Sequence, residues 1–224
     1  MKKFKSFIAL DLKSNTQNIS IVKKLHRHVY GFKVGYRSFY NNRSNELISE
    51  IKKSKCKLFL DLKLHDIPNT CVSAIKAIKD LKINYLTIHI SSGLEALRSA
   101  KKVSGNIKLV GVSILTSLDN KALKEIGFNK DVKKLVLQQA KLASKAKLDA
   151  IVCSAQEVNI VKKVFKKEII TPGIRFDSKV NDQKRTLTPR QAYKNGSDWL
   201  VIGRPITKGN IKKNIQNLID HLKK

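Results

Sequence analysis

The feature that most constrains this chain is a regular alternation of short apolar runs with amphipathic stretches, eight of each. The runs fall at residues 7–10, 30–34, 58–62, 85–89, 109–113, 150–153, 168–171 and 199–202. Each is rich in Phe, Ile, Val or Leu and too short to be a helix. Each therefore reads as a strand covered on both faces. The stretches at 16–27, 45–54, 68–80, 94–102, 132–146, 155–165, 189–195 and 211–222 place apolar residues three and four apart, which is one face of a helix. Ile211, Ile215, Leu218, Ile219 and Leu222 show the pattern most cleanly. Local punctuation agrees with it. Thr188 before Pro189 is a helix start with proline at the first position, and Pro68 can do the same. Asn195-Gly196 closes a helix, and Gly127 separates a short segment, 118–126, from the longer helix after it. Eight strand–helix units predict a closed (β/α)8 barrel, with residues 1–224 forming one domain. An open, doubly wound sheet is the alternative. No Gly-x-Gly-x-x-Gly follows the first strand and no Walker loop occurs, so the dinucleotide and P-loop versions of that sheet are not indicated.

A barrel predicts where function lies: at the C-terminal ends of the strands and in the loops just beyond them. Polar residues collect there. Asp11 follows the first strand, Lys33 lies near the end of the second, and Asp61 and Lys63 end the third. His89 closes the fourth, Thr116 follows the fifth, Pro172-Gly173-Ile174-Arg175 follows the seventh, and Gly203-Arg204 follows the eighth. The third strand is the most informative. Asp61 and Lys63 are two apart and share a face of a strand, with Asp66 in the loop beyond. Charges set into an apolar strand are costly unless paired. The cluster reads as a site, and an ion pair that merely closes a strand is the plainer alternative.

Composition narrows the classes. At 224 residues and 42% hydrophobic, the chain can bury a substantial core. No apolar run reaches membrane-spanning length. The basic start followed by Phe7-Ile8-Ala9-Leu10 reaches Asp11 too soon for a signal peptide, and no cleavage site follows. Cys56, Cys71 and Cys153 fit neither a disulfide framework nor a metal clip, which points to a reducing cytoplasm. A net charge of +29 attracts polyanions at least non-specifically. The lysines are nevertheless spread along the whole chain, with no basic tail and no basic–aromatic interleaving. Together with abundant Ile and Asn, they read as genomic compositional bias and not as a specific nucleic-acid footprint.

Six blocks, in order along the chain, resemble the orotidine 5'-phosphate decarboxylase family. They are Ile8-Ala9-Leu10-Asp11; Phe32-Lys33-Val34-Gly35; Phe59 through Thr70; Leu115-Thr116-Ser117; Thr171-Pro172-Gly173-Ile174-Arg175 with Asp182-Gln183 beyond; and Val201-Ile202-Gly203-Arg204-Pro205-Ile206-Thr207. The resemblance implies decarboxylation of orotidine 5'-monophosphate to uridine 5'-monophosphate and carbon dioxide, the last step of pyrimidine nucleotide synthesis. It implies no metal and no cofactor. It also implies a homodimer in which Asp66 serves the neighbouring chain's site. Lys63 would stabilise and protonate the C6 carbanion, with Lys33, Asp61 and Asp66 completing an alternating charge array. Asp11 and Lys33 resemble the ribose binders, and Asp66 and Thr70 would also contact the ribose side. Thr70 can equally bond its own backbone in the first turn of a helix. Thr116 resembles the residue at the pyrimidine edge, and it can equally cap a short helix. Arg175, Gln183, Gly203 and Arg204 resemble the phosphate end, with Gln183 in a lid. His89 is either a supporting residue or simply a satisfied one.

Two other readings stay open on sequence alone. Sugar-phosphate decarboxylases and aldolases of the same barrel superfamily share an Asp-x-Lys-x-x-Asp pattern but use magnesium. A nucleic-acid-binding barrel without catalysis has only the net charge in its favour.

Overall fold

Eight short apolar runs pair side by side in chain order, and the last returns to the first. The strands are β1 (Phe4–Ala9), β2 (Val29–Gly35), β3 (Lys57–Leu64), β4 (Tyr85–His89), β5 (Lys108–Val112), β6 (Ala150–Val152), β7 (Glu168–Thr171) and β8 (Trp199–Ile202). All neighbours are parallel, and β1 pairs with β8 to close the barrel. This computed structural model describes residues 3–176 and 186–223. Among them no helix is long and apolar enough to cross a membrane.

Strand alternation sorts side chains into two cores. Outward-facing Ile8, Phe32, Leu58, Leu60, Leu86, Leu109, Ile151 and Leu200 pack beneath the helices, against residues such as Val22, Leu47, Ile51 and Val136. Inward-facing Phe7, Phe59, Tyr85, Val110, Ile170 and Trp199 fill the lower barrel. The rings of Phe59 and Tyr85 each lie 5.2 Å from that of Phe7, edge-on. A filled interior of this kind is a packed core and not a pore. Gly31 makes room for it, because a Cβ there would stand 2.7 Å from the Phe7 ring and 2.5 Å from the Lys57 carbonyl.

The helices begin where the sequence supplies caps. The Ser14 hydroxyl caps Asn15–Leu25, and Asp119 and Asp131 cap Asn120–Glu125 and Val132–Lys145. Thr188 and Gln191 form a full capping box ahead of Pro189–Lys194. Several boundaries differ from expectation. The stretch at 68–80 splits into Pro68–Ala77 and a 3₁₀ turn at Lys79–Leu81, ended by Lys82 in the left-handed region. The stretch at 155–165 is helical only over Val158–Val164. Two one-turn helices, Tyr36–Phe39 and Arg204–Thr207, follow β2 and β8; the first has no counterpart in the sequence reading, since its four residues carry no helical period. Most important, β3 runs past residue 62 to Leu64, and its register against β4 shifts between Leu60 and Leu64.

Candidate active site

That shift puts a bulge at the mouth of the barrel. Lys63 adopts φ 43°, in the left-handed region that a side chain enters at a cost of about 1–2 kcal/mol. Its backbone N–H donates to Thr87 Oγ1 of β4 at 2.7 Å. The Thr87 hydroxyl in turn donates to Asp61 Oδ1 at 3.1 Å, and the Lys63 ammonium reaches the same oxygen at 2.9 Å. Lys33 Nζ lies 3.2 Å from the other carboxylate oxygen and 3.7 Å from Asp11 Oδ2. One carboxylate is thus held between two ammonium groups, with a second carboxylate beyond.

The electrostatics follow from the packing. Burial would push the Asp61 carboxyl up, but Lys33 and Lys63 outweigh it and hold the group at about 2. Burial would likewise discharge Lys33, and the charges of Asp61 and Asp11 reverse that and raise it above its ordinary value. Lys33 and Asp61 therefore stand charged at neutral pH. Beside them the His89 ring lies 5.0 Å from that of His65. Burial first, then His65 and Lys63, lower His89 to about 4, so it is neutral at pH 7.

Asp11, Lys33, Asp61 and Lys63 form one wall of a cavity of about 750 Å³. Its floor is apolar, with Ala9, Phe59, Val112, Val152 and Val201. Thr116, Ser117, Gly173, Arg175, Gly203 and Arg204 are also part of the lining. The cavity therefore offers an ion-paired lysine, an apolar floor, hydroxyls and three guanidinium groups, of Arg37, Arg175 and Arg204. This suits a ligand with a flat apolar body and an anionic end. Of the residues expected from sequence, Asp11, Lys33, Asp61, Lys63, Thr116, Arg175, Gly203 and Arg204 come together here. Thr116 is not a helix cap, because Asp119 caps the helix that follows.

Asp66 and Thr70 are not in this wall. Both are exposed, and Asp66 Oδ1 accepts from the Ile67 N–H at 2.7 Å. The charge array within one chain is therefore Asp11, Lys33, Asp61 and Lys63, without Asp66. Gln183 lies outside the described residues. Among the described residues no three His, Cys, Asp or Glu side chains are grouped to hold a metal ion.

Residues 5–215 match the model of the orotidine 5'-phosphate decarboxylase / HUMPS family. The chain belongs to this family. It is 43% identical over 215 residues to the orotidine 5'-phosphate decarboxylase of Wolbachia sp. subsp. Brugia malayi, covering 94% of this chain and 95% of that one. The enzyme of the same name from Carboxydothermus hydrogenoformans is 41% identical over 210 residues, covering 89% of this chain and 87% of that one. The crystal structure of orotidine 5'-phosphate decarboxylase from Lactobacillus acidophilus superposes with a TM-score of 0.82 at 32% identity, covering 98% of this chain and 99% of that one.

Sequence reasoning missed several residues in and around this cavity. Thr87 was passed over, although it lies midway between Tyr85 and His89 on the inward face of β4. Strand parity alone could have found it. Arg37, on the one-turn helix after β2, lines the cavity and donates to the Asp11 carbonyl at 3.3 Å. Tyr36 donates its hydroxyl to the Leu62 carbonyl at 3.0 Å, and Lys63 Nζ sits 5.6 Å from its ring centroid. No signal in the sequence marked either residue, because the helix that carries them was not legible.

Proposed function

We propose that this cavity decarboxylates orotidine 5'-monophosphate to uridine 5'-monophosphate and carbon dioxide, with Lys63 as the group around which the reaction turns. The observation that carries the reading is the Lys63 ammonium, fixed against Asp61 and aimed into a cavity that also holds Arg175 and Arg204. In the reaction the bond between C6 and the carboxylate carbon breaks. Carbon dioxide leaves neutral, and the electron pair stays on C6. A fixed ammonium lowers the energy of that carbanion and then gives it a proton, forming the C6–H bond. The amine left behind recovers its proton from solvent. Asp61, charged before substrate arrives, keeps Lys63 ionised and oriented, and Lys33 and Asp11 hold Asp61 in turn.

The remaining roles follow the chemistry of each group. Asp11 accepts from ribose hydroxyls and Lys33 donates to them. Thr116 meets the pyrimidine edge. Arg175 and Arg204 grip the phosphate, the guanidinium fork matching its oxygens, with Gly203 leaving the backbone open beside it and Gln183 joining from the following segment. No metal or cofactor enters this scheme. A magnesium-dependent sugar-phosphate reaction is disfavoured by Asp61, since the carboxylate a metal would need already takes two ammonium groups and a hydroxyl.

The functional unit in this reading is a cytoplasmic homodimer in which Asp66 and Thr70 of one protomer complete the site of its partner. Support comes from the surface around them. Ile67, next to Asp66, is 66% exposed, and Tyr36 and Tyr40 stack on each other at 46% and 73% exposure. Apolar groups of that size gathered near a site mark a contact surface. Specific nucleic acid and membrane play no part in the scheme.

The test is the ultraviolet absorbance of orotidine 5'-monophosphate with EDTA present. Rapid loss supports the reading. No loss, with turnover of a hexulose phosphate on adding magnesium, replaces it with the other branch of the family. For the dimer, Lys63→Ala and Asp66→Ala chains are unfolded together and refolded at equal amounts. Half of the dimers are then mixed, each with one intact site, so about a quarter of wild-type activity returns. No recovery above the separate variants contradicts a shared site.

A further inference from the structure

We infer that Thr87 is a positioning residue for the decarboxylation, one hydroxyl that fixes Lys63 and Asp61 relative to each other. The inference rests on reading those two as the reacting pair. The bulge in β3 takes the Lys63 N–H out of the regular ladder and leaves the residue at φ 43°. Something must accept that N–H, and Thr87 Oγ1 does so at 2.7 Å. With its oxygen committed, the hydroxyl proton points to Asp61 Oδ1 at 3.1 Å. The same carboxylate oxygen receives the Lys63 ammonium at 2.9 Å. The contacts close a ring: backbone of Lys63, hydroxyl of Thr87, carboxylate of Asp61, ammonium of Lys63.

A ring of this kind fixes more than an ion pair does. An ion pair alone sets a distance and leaves the lysine stem to choose among rotamers. Here the start of the stem and its charged end are tied to one point. That point is itself fixed. Thr87 is fully buried, so no solvent replaces its hydroxyl. It is β-branched and stiff at χ1. It sits in the middle of β4, in register with Val110 of β5. The reactive pair on a bulged strand is thus referenced to a regular strand beside it. A residue that only supported the bulge would need to accept the N–H and nothing more. The second bond, to Asp61, is what couples the bulge to the chemistry.

Two variants separate these roles. Thr87→Val keeps the shape and removes the hydroxyl, and Thr87→Ser keeps the hydroxyl and removes the methyl. Both are measured for kcat and KM on orotidine 5'-monophosphate, and for the titration of Asp61 by carboxyl ¹³C NMR. Misplacement of reacting groups by a fraction of an ångström to an ångström costs about 10²-fold in rate. The expected result for Thr87→Val is a fall in kcat of that order with KM unchanged, and an upward shift of the Asp61 titration as the carboxylate loses a donor. Thr87→Ser is expected to restore most of kcat and the original titration. Should Thr87→Val fail to fold, Thr87→Ala takes its place with the same readouts. Wild-type kcat and an unmoved Asp61 in the hydroxyl-free variant overturn the inference, as does equal damage in Val and Ser. The NMR titration needs no turnover. A wild-type protein that leaves orotidine 5'-monophosphate untouched therefore sinks the proposed function, while the coupling of Thr87 to Asp61 is still read directly.

Discussion

Two layers of one barrel interior, a single pleat apart, obey opposite rules. In the lower layer Phe7, Phe59, Tyr85 and Trp199 meet edge-on or tilted, with neighbouring centroids at 5.2 to 6.3 Å. In the upper layer β2, β3 and β4 present Lys33, Asp61, Lys63 and Thr87. Phe59 and Asp61 are two residues apart on β3, and Tyr85 and Thr87 two apart on β4. The lower layer gains by excluding water from apolar surface. The upper layer has no such gain, and every charge in it is tolerable only because a specific partner stands within about 4 Å. The lower layer stabilises the fold, and the upper one draws on that stability to hold charges ready. Damage below should therefore cost stability without changing the chemistry, and damage above should cost both.

The sharpest contrast is expected from Asp61→Ala. It leaves Lys33 buried with only Asp11 near it, and breaking such a pair costs about 3–5 kcal/mol of stability. It also releases Lys63, so kcat should fall by at least about 10²-fold. Urea unfolding and steady-state kinetics on one preparation check both numbers, and a stable, active variant would erase the distinction between the layers. Next comes Phe7→Ala, at a fully buried ring of the lower layer that does not line the cavity, which should lose a similar 3–5 kcal/mol. Its kcat per folded molecule should stay near wild type. A large loss of kcat with little loss of stability would show that the layers are not separable.

Acid should act on the upper layer in two steps. His89 titrates at about 4 when folded against an ordinary 6.5, so the unfolded chain takes up a proton that the native state refuses. Stability from His89 is complete above about pH 6.5 and declines as the pH falls to about 4. Asp61 sits at about 2 against 3.8. Its contribution is complete above about pH 3.8 and is lost as the pH falls through 2. Neither step can exceed about 1.4 kcal/mol per pH unit for one proton. His89→Asn should flatten the upper step and leave the lower one, as followed by unfolding midpoints across pH. A midpoint that holds level from pH 6.5 to 4 in the wild type would remove His89 from the account.

The smallest effect is expected at the phosphate end. Arg204→Lys keeps the charge and loses the planar fork, so KM should rise by about tenfold, near 1.4 kcal/mol, with kcat less affected. A kcat loss as large as that of Asp61→Ala would place Arg204 among the reacting groups instead.

The strands that carry the lower layer were legible in the sequence, and the upper layer only in part. Strands at 85–89, 168–171 and 199–202 were read at the bounds the structure gives, because a continuous apolar run between turns admits one interpretation. Lys33, Asp61 and Lys63 were legible as charges that an apolar strand should not contain. The bulge was not. A left-handed residue is usually announced by glycine or asparagine, and here it is a lysine. Thr87 was hidden for a different reason. Strand parity places it on the inward face, but its two partners lie 24 and 26 residues away, so the sequence does not show what it binds. For Asp66 the resemblance implies a role in the partner's site, and its position outside the chain's own cavity depends on how the loop after β3 turns, which the sequence does not encode locally.

The most direct test of the central claim is Lys63→Ala, assayed for loss of orotidine 5'-monophosphate absorbance and for binding of uridine 5'-monophosphate. If the Lys63 ammonium stabilises and protonates C6, kcat falls by at least about 10⁴-fold while the folded protein still binds the product. A variant that keeps turnover within about tenfold of wild type contradicts the account, because a change near 1.4 kcal/mol is far too small for the group that both holds the carbanion and supplies its proton.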